Sequence, residues 1–286
     1  MVVAPTSGRV ELSVVIPMRN ESENARRCID KVEGRLKSFA YSYEIIVAED
    51  GSTDSTREIV NRIASANPNV RCSCSVMKLG KGAALKNAIG ISRGDLIVTL
   101  DADIDSGLDT LPSLIRTARE TDGIALGSRV LSGVADSRPI VRRVATKLYN
   151  GLVRFLFGDD IRDHQCGLKV ISRHVANILI QYVQEKGFAW DTEVISLARR
   201  LGYKVTEVPV KFTEKRSGLK THVNILKDGL YMGMSLIAIK YRLGKAYAEN
   251  FKIKTTAFQH SYVLQHDTSV VFNRAPMQFW RFMQVS

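Results

Sequence analysis

The sequence contains few cysteines, and their spacing is not that of a metal site. Its 286 residues include four cysteines, and no two of them form a CxxC pair. A chain of this length can bury most of its apolar surface without covalent cross-links, so it needs no disulfide framework. We therefore expect Cys28, Cys72, Cys74 and Cys166 to pack as small buried hydrophobic residues in a reducing, cytosol-facing environment.

Long apolar runs and two common nucleotide-loop motifs are also absent. The longest late apolar run, 229–239, is about half of the ~20 residues that a membrane-spanning helix needs, so we predict no transmembrane span. Residues 1–17 have no basic segment before an apolar core, and Pro5 and Gly8 interrupt them, so no secretory signal is expected there. Neither GxxxxGK(S/T) nor GxGxxG after the first predicted strand is present, which excludes the phosphate-loop and dinucleotide-binding Rossmann proteins.

Acidic residues are outnumbered by basic ones. There are 41 lysines and arginines against 29 aspartates and glutamates, which gives a formal net charge of +12. Such an excess favours an anionic partner, whether nucleic acid, nucleotide, phosphate or membrane surface. A nucleic-acid-binding surface would interleave basic residues with exposed aromatic ones along a groove. The aromatic residues here mostly fall at apolar-face positions and the acids cluster after strands, so we expect no nucleic-acid partner.

Hydrophobic runs alternate with helical patterns along most of the chain. The predicted elements of the first half are strand 12–16, helix 22–36, strand 43–48, a helix that Ser52 or Thr53 caps and that ends near Ala66, strand 70–76, a helix in the Ala-rich middle of 80–92, strand 95–100 and helix 109–121. Those of the second half are strand 123–128, helix 139–157, a helix in 187–203 that ends at Gly202, and strand 204–212. Such an alternation predicts an α/β fold with a mostly parallel sheet and helices on both faces.

Three polar clusters come directly after predicted strands, at 17–21 (PMRNE), 49–54 (EDGSTD) and 101–105 (DADID). Ligands of open α/β sheets bind at the carboxyl ends of the strands, so we expect the three clusters to converge on one site. The second cluster has the composition of a surface turn. An acid directly after a buried strand can also accept a hydrogen bond from a base N–H or a ribose hydroxyl.

The third cluster sets three carboxylates two residues apart, at Asp101, Asp103 and Asp105. Like charges this close repel each other and raise each other's pKa unless a cation lies among them. A calcium-binding EF-hand loop is excluded, because Ser106 and Pro112 occupy the positions that require glycine and glutamate. A solvated loop is one interpretation. The other is a site where Asp101 and Asp103 hold Mg²⁺ or Mn²⁺ while a diphosphate supplies further oxygen ligands.

Seven segments of the sequence, in their order and spacing, resemble the inverting family 2 glycosyltransferases of the GT-A fold, and more narrowly the dolichyl-phosphate glucose and mannose synthases. The segments are VVIPMRNE, IIVAEDGSTDST, LGKGAALKNAI, LIVTLDADID, LGSR, RDHQCGLKVIS and GFAWDTEVISLARRLGYKVTEVPVKF. The resemblance covers roughly residues 11 to 245 and implies a single GT-A domain over 1–245, with a Rossmann-like, mostly parallel sheet. The tail, 246–286, has no clear periodicity, and we predict neither structure nor function for it.

The resemblance also implies which residues bind the donor. Some of them would hold the base and ribose, and the carboxylates after the fourth strand would bind the metal ion and the diphosphate. The implied nucleotide-binding residues are Pro17, Arg19, Glu21, Ala48, Asp50, Lys81, Asp101, Ala102 and Asp103.

Three positions depart from the family pattern. Arg19 stands where an aromatic residue is usual, which leaves base stacking open, although arginine can contact a phosphate or a ring face. Glu49 replaces the usual first aspartate of its motif. Asp105 stands where mannose-type relatives often have glutamine, so its role as a third metal ligand is open.

The same resemblance implies catalytic and phosphate-binding residues. The implied catalytic residues are Asp101, Asp103, Arg129 and Asp191. The implied metal ligands are Asp101 and Asp103, with Asp105 as the open third. The residues implied to bind phosphates of the donor or the acceptor are Arg129, Arg142, Arg143 and Lys220. The metal ion and Arg129 would neutralise charge on the leaving nucleoside diphosphate. A phosphate acceptor is already an anion near neutral pH and needs no general base, so Asp191 and Glu193 would position the sugar or the acceptor phosphate.

The expected activity is inverting transfer of a hexose from a nucleotide sugar, UDP-glucose or GDP-mannose, to dolichyl or polyprenyl phosphate at the cytosolic membrane face, with Mg²⁺ or Mn²⁺. The segments DHQCGLK and GFAWDTE favour UDP-glucose. Transfer to a sugar hydroxyl, as in polysaccharide, glycolipid or glycan synthesis, is the alternative. Basic and apolar residues are interleaved in 139–157 and 223–245, which predicts two interfacial helices that attach the protein peripherally to an anionic membrane. Core helices with solvated charges are the alternative there.

Overall fold

The structure is a computed structural model that describes residues 9–103, 107–132, 140–210 and 225–244. Within these residues the strands are β1 (Leu12–Met18), β2 (Tyr43–Asp50), β3 (Val70–Ser75), β4 (Leu96–Thr99), β5 (Ile124–Ser128), β6 (Lys169–Ser172) and β7 (Val205–Pro209). The helices are α1 (Ala25–Ser38), α2 (Thr56–Ala66), α3 (Lys81–Gly90), α4 (Leu111–Thr121), α5 (Ile140–Phe157), α6 (Arg173–Tyr182), α7 (Trp190–Arg200) and α8 (Ile225–Arg242). A 3₁₀ turn, Gly107–Thr110, precedes α4. The predicted tail, 246–286, lies outside the described residues.

One sheet orders the described strands as β3-β2-β1-β4-β6-β5-β7. Neighbouring strands pair in parallel, except that β6 runs antiparallel to both β4 and β5. In this register Val14 of β1 lies opposite Ile45 of β2 on one side and Val98 of β4 on the other. The predicted α/β fold with a mostly parallel sheet is therefore confirmed.

Two apolar layers form the core, one on each face of the sheet. Val14 and Ile16 point into the layer that α1, α2 and α4 cover, whereas Val15 points into the layer that α3, α6 and α7 cover. All three side chains are completely buried. A strand that is covered on both faces has no polar face, which explains the mostly apolar sequences of β1 and β4.

The segment 169–182 forms β6 and α6, which the sequence pattern did not predict. The strand has four residues and passes directly into the helix, with Ser172 in an extended conformation as the N-cap residue. Because no turn residue separates the two elements, the run KVISRHVANILI shows neither a clean strand period nor a clean helix period. The short strand nevertheless completes the sheet, since it joins β4 to β5.

The predicted cap of the second helix is wrong. α2 begins at Thr56, with Ser55 at the N-cap position. Ser52 instead accepts a hydrogen bond from the backbone N–H of Asn20 (3.0 Å), and Thr53 donates its backbone N–H to the side-chain oxygen of Asn20 (2.9 Å). The turn after β2 therefore fastens the loop after β1.

Two of the four cysteines contradict the expectation of buried thiols. Cys28 and Cys166 are buried and form no disulfide bond, as expected. Cys72 and Cys74 form a disulfide bond with each other, and Cys74 is exposed. Both belong to β3, the edge strand of the sheet, where side chains two residues apart point to the same side and cover is incomplete.

α5 and α8 pack against each other, and each carries a line of exposed apolar side chains. α5 confirms the predicted helix 139–157, and α8 covers most of the predicted segment 223–245. The exposed apolar residues are Val144, Leu148, Leu152 and Phe155 on α5, and Tyr231, Met234, Ile237 and Tyr241 on α8. Across the described ranges, none of the helices combines the length and the hydropathy that a bilayer-spanning segment requires.

Candidate active site

The loops after β1, β2 and β4 are tied together at the carboxyl ends of these strands. Asn20 adopts a left-handed backbone conformation (φ 54°), which asparagine tolerates better than most residues, and it holds the turn after β2. Asn24, just before α1, donates side-chain hydrogen bonds to the carbonyl oxygen of Ala102 (2.9 Å) and to the carboxylate of Glu21 (3.3 Å). The three polar clusters therefore converge, as strand ends in one parallel sheet predict.

Asp50 and Glu49 use their carboxylates to hold neighbouring loops. Asp50 is buried, and its oxygens accept hydrogen bonds from the backbone N–H groups of Leu79 (2.6 Å) and Gly80 (3.0 Å). Glu49 is completely buried and accepts hydrogen bonds from the backbone N–H of Ser52 and the side chain of Arg57 (3.0 Å). The loop 76–80 beside the predicted base site is thus shaped by Asp50.

Three further residues of the predicted donor site lie close by along β1 and β2. Pro17 and Ala48 are opposite each other in the β1–β2 register, and Ala48 is completely buried. Arg19 is partly buried, and within the described residues its Nε has no hydrogen-bond partner. A guanidinium with an unused donor suits an anionic ligand.

A pocket with alternating charges lies at the ends of β1 and β4. Its lining residues are Pro17, Lys81, Leu85, Thr99, Leu100, Asp101, Gly167 and Asp191. Lys81 Nζ lies 2.9 Å from Asp101 Oδ1 and 3.2 Å from Asp191 Oδ2. Behind the pocket, Lys169 Nζ lies 2.6 Å from Asp191 Oδ1. We call Lys169, Asp191, Lys81 and Asp101 the charged chain.

Exposure increases steadily along the charged chain. The exposed fraction of the side chain is 0% at Lys169, 5% at Asp191, 18% at Lys81 and 36% at Asp101. A ligand that enters from solvent therefore meets Asp101 first and does not reach Lys169.

The charges of Asp101 and Lys81 stabilise each other. Burial by itself would raise the pKa of Asp101, but the positive charge of Lys81, with support from Lys169 and Arg129, holds it below its ordinary value. Burial would also lower the pKa of Lys81, and the two neighbouring aspartates raise it instead. Both groups are therefore charged at neutral pH.

Gly167 leaves room for the carboxylate of Asp101. A Cβ atom at this position would lie well under 3.0 Å from Asp101 Oδ2. The backbone carbonyl of Gly167 also accepts a hydrogen bond from the hydroxyl of Thr99 (3.1 Å), which fixes the segment against β4. Glycine is thus required here for the close approach of a side chain.

Arg129 is held by an acid that the sequence did not single out. Its Nε and Nη2 each lie 2.7 Å from an oxygen of Asp163, a buried residue. Burial would lower the pKa of Arg129, but this bidentate pair raises it. The positive charge of Arg129 helps to lower the pKa of Asp101, so the structure places Arg129 near the predicted metal ligands.

Some predicted site residues lie outside the described part of the chain. They are Asp105, Lys220 and the side chain of Arg142. Arg143 is partly buried, and within the described residues its Nε has no hydrogen-bond partner. Among the side chains that the structure describes, no group of three or more His, Cys, Asp or Glu could hold a metal ion.

Glu193 is taken up by protein groups. One oxygen accepts hydrogen bonds from the backbone N–H groups of Gln184 (2.9 Å) and Glu185 (2.6 Å), and the other accepts one from Arg242 of α8 (2.9 Å). Glu193 therefore holds the turn before α7 and fastens α8. Both of its carboxylate oxygens have protein partners in this arrangement, so neither is directed at a substrate as we had expected.

Sequence reasoning assigned no role to Gly167, Lys169 or Asp163. All three belong to the segment RDHQCGLKVIS, which contributed to the family resemblance only as a whole. One signal was available for Lys169, because a lysine that begins an apolar run is rarely buried without an acidic partner. The identity of that partner depends on the fold.

Comparisons with known proteins agree on the family. A family model described as Glycosyl transferase family 2 matches residues 13–179. Glycosyltransferase AglD of Haloferax volcanii is 37% identical over 243 residues, which are 84% of this chain but 38% of that protein. The dolichyl-phosphate beta-glucosyltransferase ALG5C of Trichomonas vaginalis is 30% identical over 250 residues, 81% of this chain and 74% of that protein.

A solved structure shares the fold. Glucosyl-3-phosphoglycerate synthase from Mycobacterium tuberculosis, in complex with Mn²⁺, UDP and glucosyl-3-phosphoglycerate, superposes with a TM-score of 0.59 at 24% identity. The match covers 83% of this chain and 81% of that chain, and it confirms the predicted GT-A fold. Together with the family model, which matches more than half of the sequence, these likenesses show that the chain belongs to glycosyl transferase family 2.

Proposed function

We propose that this protein is an inverting hexosyltransferase that moves one hexose from a nucleotide sugar to dolichyl or polyprenyl phosphate. The observation that carries the proposal is the pairing of Asp191, whose two oxygens lie 2.6 Å from Lys169 and 3.2 Å from Lys81. Each oxygen of this carboxylate is directed at an ammonium group of the protein, whereas a sugar-hydroxyl acceptor requires a base within hydrogen-bond reach of the hydroxyl. A phosphate acceptor is already an anion near neutral pH and requires none.

The similar proteins support a lipid-phosphate acceptor and a glucose donor. The Trichomonas vaginalis relative is named a dolichyl-phosphate beta-glucosyltransferase, and the chain spans 74% of it. The chain spans little more than a third of AglD, which therefore supports the family and no particular substrate. We propose UDP-glucose as the donor, with GDP-mannose as the alternative.

The described carboxylates fit a divalent cation. Asp101 is ionised at neutral pH and is the most exposed member of the charged chain. Carboxylate oxygens are the ligands that Mg²⁺ takes in proteins, usually together with substrate phosphates. We infer that Asp101 and Asp103 would hold Mg²⁺ or Mn²⁺, which supplies positive charge to the leaving nucleoside diphosphate. Lys81 and Arg129 add fixed positive charge beside them.

We propose that α5 and α8 rest on the cytoplasmic face of an anionic membrane, where a polyprenyl phosphate presents its head group. Phe155 of α5 and Tyr241 of α8 are 83% and 84% exposed. Among the described side chains of the same helices, the exposed basic ones are Lys147, Arg154 and Lys240. Exposed apolar side chains with basic neighbours are the combination by which interfacial helices bind anionic lipid.

The transferase proposal predicts a lipid-linked sugar. With polyprenyl phosphate and Mg²⁺ or Mn²⁺, we expect labelled hexose to pass into the lipid fraction from UDP-glucose, and the product to have the anomeric configuration opposite to that of the donor. Chelation of the divalent cation should reduce transfer to background, because the leaving diphosphate then lacks its counter-charge. Lipid extraction and scintillation counting measure the product.

The matched control is a polyprenol that lacks the phosphate, which should accept no sugar. A screen that includes GDP-mannose and other nucleotide sugars separates donor choice from the reaction itself. Absence of lipid-linked sugar with every donor, or transfer only to sugar hydroxyls, would overturn the proposal.

Membrane attachment predicts co-flotation with anionic vesicles. The double substitution Phe155→Ser and Ile237→Ser should lower the vesicle partition coefficient at least tenfold, since each apolar side chain withdrawn from the interface costs about 1.5–3 kcal/mol. Ile91→Ser, which changes an exposed apolar residue at the end of α3, should leave it unchanged. A wild-type protein that stays in the soluble fraction with anionic vesicles argues against peripheral attachment.

A further inference from the structure

Lys169 is a fully buried cation with no access to the pocket. Its side chain is 0% exposed, and its ammonium donates hydrogen bonds to Asp191 Oδ1 and to the carbonyl oxygen of Cys166. Burying an ammonium ion costs several kcal/mol unless a well-placed anion offsets the lost hydration. Asp191 is that anion, and its other oxygen faces Lys81.

The ion pair of Lys169 with Asp191 fixes the side-chain end of Lys81. Because Lys169 is enclosed by the core, Asp191 cannot turn away from it without leaving a buried charge unpaired. Asp191 in turn holds Lys81 Nζ at 3.2 Å. The position of the Lys81 ammonium is thus set from behind the pocket as well as by Asp101 in front.

The backbone end of Lys81 is fixed by close packing. The carbonyl oxygen of Lys186 accepts a hydrogen bond from the N–H of Gly82 (2.8 Å) at the start of α3. A Cβ atom on Gly80 would collide with the backbone of Lys186, and one on Gly82 would lie 2.6 Å from Cβ of Trp190. The start of α3 therefore fits tightly against the segment that leads into α7, which carries Asp191.

We propose that Lys169 and Asp191 are positioning residues for Lys81, which the family resemblance already implies is a nucleotide-binding residue and whose ammonium would meet the diphosphate of the donor. The inference rests on the proposed function for the identity of the donor. In the described structure Lys81 is shared between Asp101 and Asp191. An anionic diphosphate that reaches the exposed end of the charged chain replaces Asp101 as one partner of Lys81, while Asp191 keeps the ammonium in place. The proposed role of Asp191 is thus to hold the ammonium group of Lys81 in position.

The test measures binding of inorganic pyrophosphate to the full chain by calorimetry, with Mn²⁺ and without it. We expect Lys81→Met to weaken binding about ten- to hundredfold, the loss typical of a charge-assisted hydrogen bond. Lys169→Met with Asp191→Asn removes the buried pair as a neutral unit, so the double variant avoids an unpaired buried charge and keeps its thermal midpoint. Its pyrophosphate affinity should fall nearly as far as that of Lys81→Met.

The decisive comparison adds the double substitution to the Lys81→Met protein. If Lys169 and Asp191 act through Lys81, the triple variant binds pyrophosphate no more weakly than Lys81→Met alone. The matched control is Lys37→Met, which removes a lysine whose side chain is 63% exposed on α1 and which should bind as the wild type does.

Wild-type pyrophosphate affinity in a folded double variant would overturn the inference, and so would a further loss in the triple variant. Either result leaves the proposed transfer reaction intact, because that reaction is scored separately as lipid-linked hexose. A wild-type protein that binds no pyrophosphate and transfers no hexose would overturn both.

Discussion

Asp101→Asn should reduce hexose transfer to background, a loss of at least about a thousandfold in kcat, while the protein remains folded. Asparagine preserves the shape of the side chain and removes the negative charge. That charge persists at neutral pH because Lys81, Lys169 and Arg129 outweigh the effect of burial on the pKa of Asp101. Loss of one preorganised electrostatic contact commonly costs about 10²–10³ in kcat, and this substitution would remove both the proposed metal ligand and the partner of Lys81. Initial rates of transfer to polyprenyl phosphate measure the effect.

The control for this substitution is Asp30→Asn, which changes an exposed aspartate on α1 and should retain wild-type turnover. Urea unfolding of both variants separates a catalytic loss from a folding defect. Wild-type turnover of Asp101→Asn in the presence of Mn²⁺ would contradict the assignment of Asp101 as a metal ligand.

Gly167→Ala should lower kcat about a hundredfold through the displacement of Asp101. The added Cβ atom would lie well under 3.0 Å from Asp101 Oδ2, so the carboxylate or the segment that carries Gly167 must shift. A misplacement of about 1 Å in an active site can cost about 10²-fold in rate. Overpacking should also lower the free energy of unfolding by about 1–3 kcal/mol. Transfer rates and urea denaturation measure the two effects.

Gly34→Ala on α1 is the matched control. A Cβ atom there meets nothing within 4 Å, so alanine should stabilise the helix by about 0.5–1 kcal/mol and leave transfer unchanged. Full turnover of Gly167→Ala would show that Asp101 does not need its present position, and the role assigned to Gly167 would then be wrong.

Local sequence patterns predicted most of the first half of the fold. β1 and β4 are visible as mostly apolar runs because both of their faces are buried. α4 follows from a helical period whose apolar residues, such as Leu114 and Ile115, all turn inward. These signals depend on residues close together in sequence, and they place Asp50 and Asp101 at strand ends before any tertiary contact is known.

The errors arose where the decisive contacts are distant in sequence. β6 was missed because four residues carry too little periodicity, and its pairing with β4 and β5 identifies it as a strand. Cys72 and Cys74 were expected in the core because free cysteines are commonly buried, but they form a disulfide bond and β3 occupies the edge of the sheet. Ser52 was expected to cap α2 and instead binds Asn20 across the strand ends.

By itself, the sequence determined a mostly parallel α/β sheet with three polar clusters after its strands, because periodicity and strand ends are local properties. It also placed Asp101 directly after the fourth strand, whereas its role as a metal ligand stays a prediction. Only the tertiary structure decided that Lys169 pairs with Asp191, that Asp191 holds Lys81, and that Gly167 makes room for Asp101. The physical reason is that these contacts join segments far apart in sequence, such as β6 beside β4 and α7 beside α3, and no spacing along the chain specifies such partners.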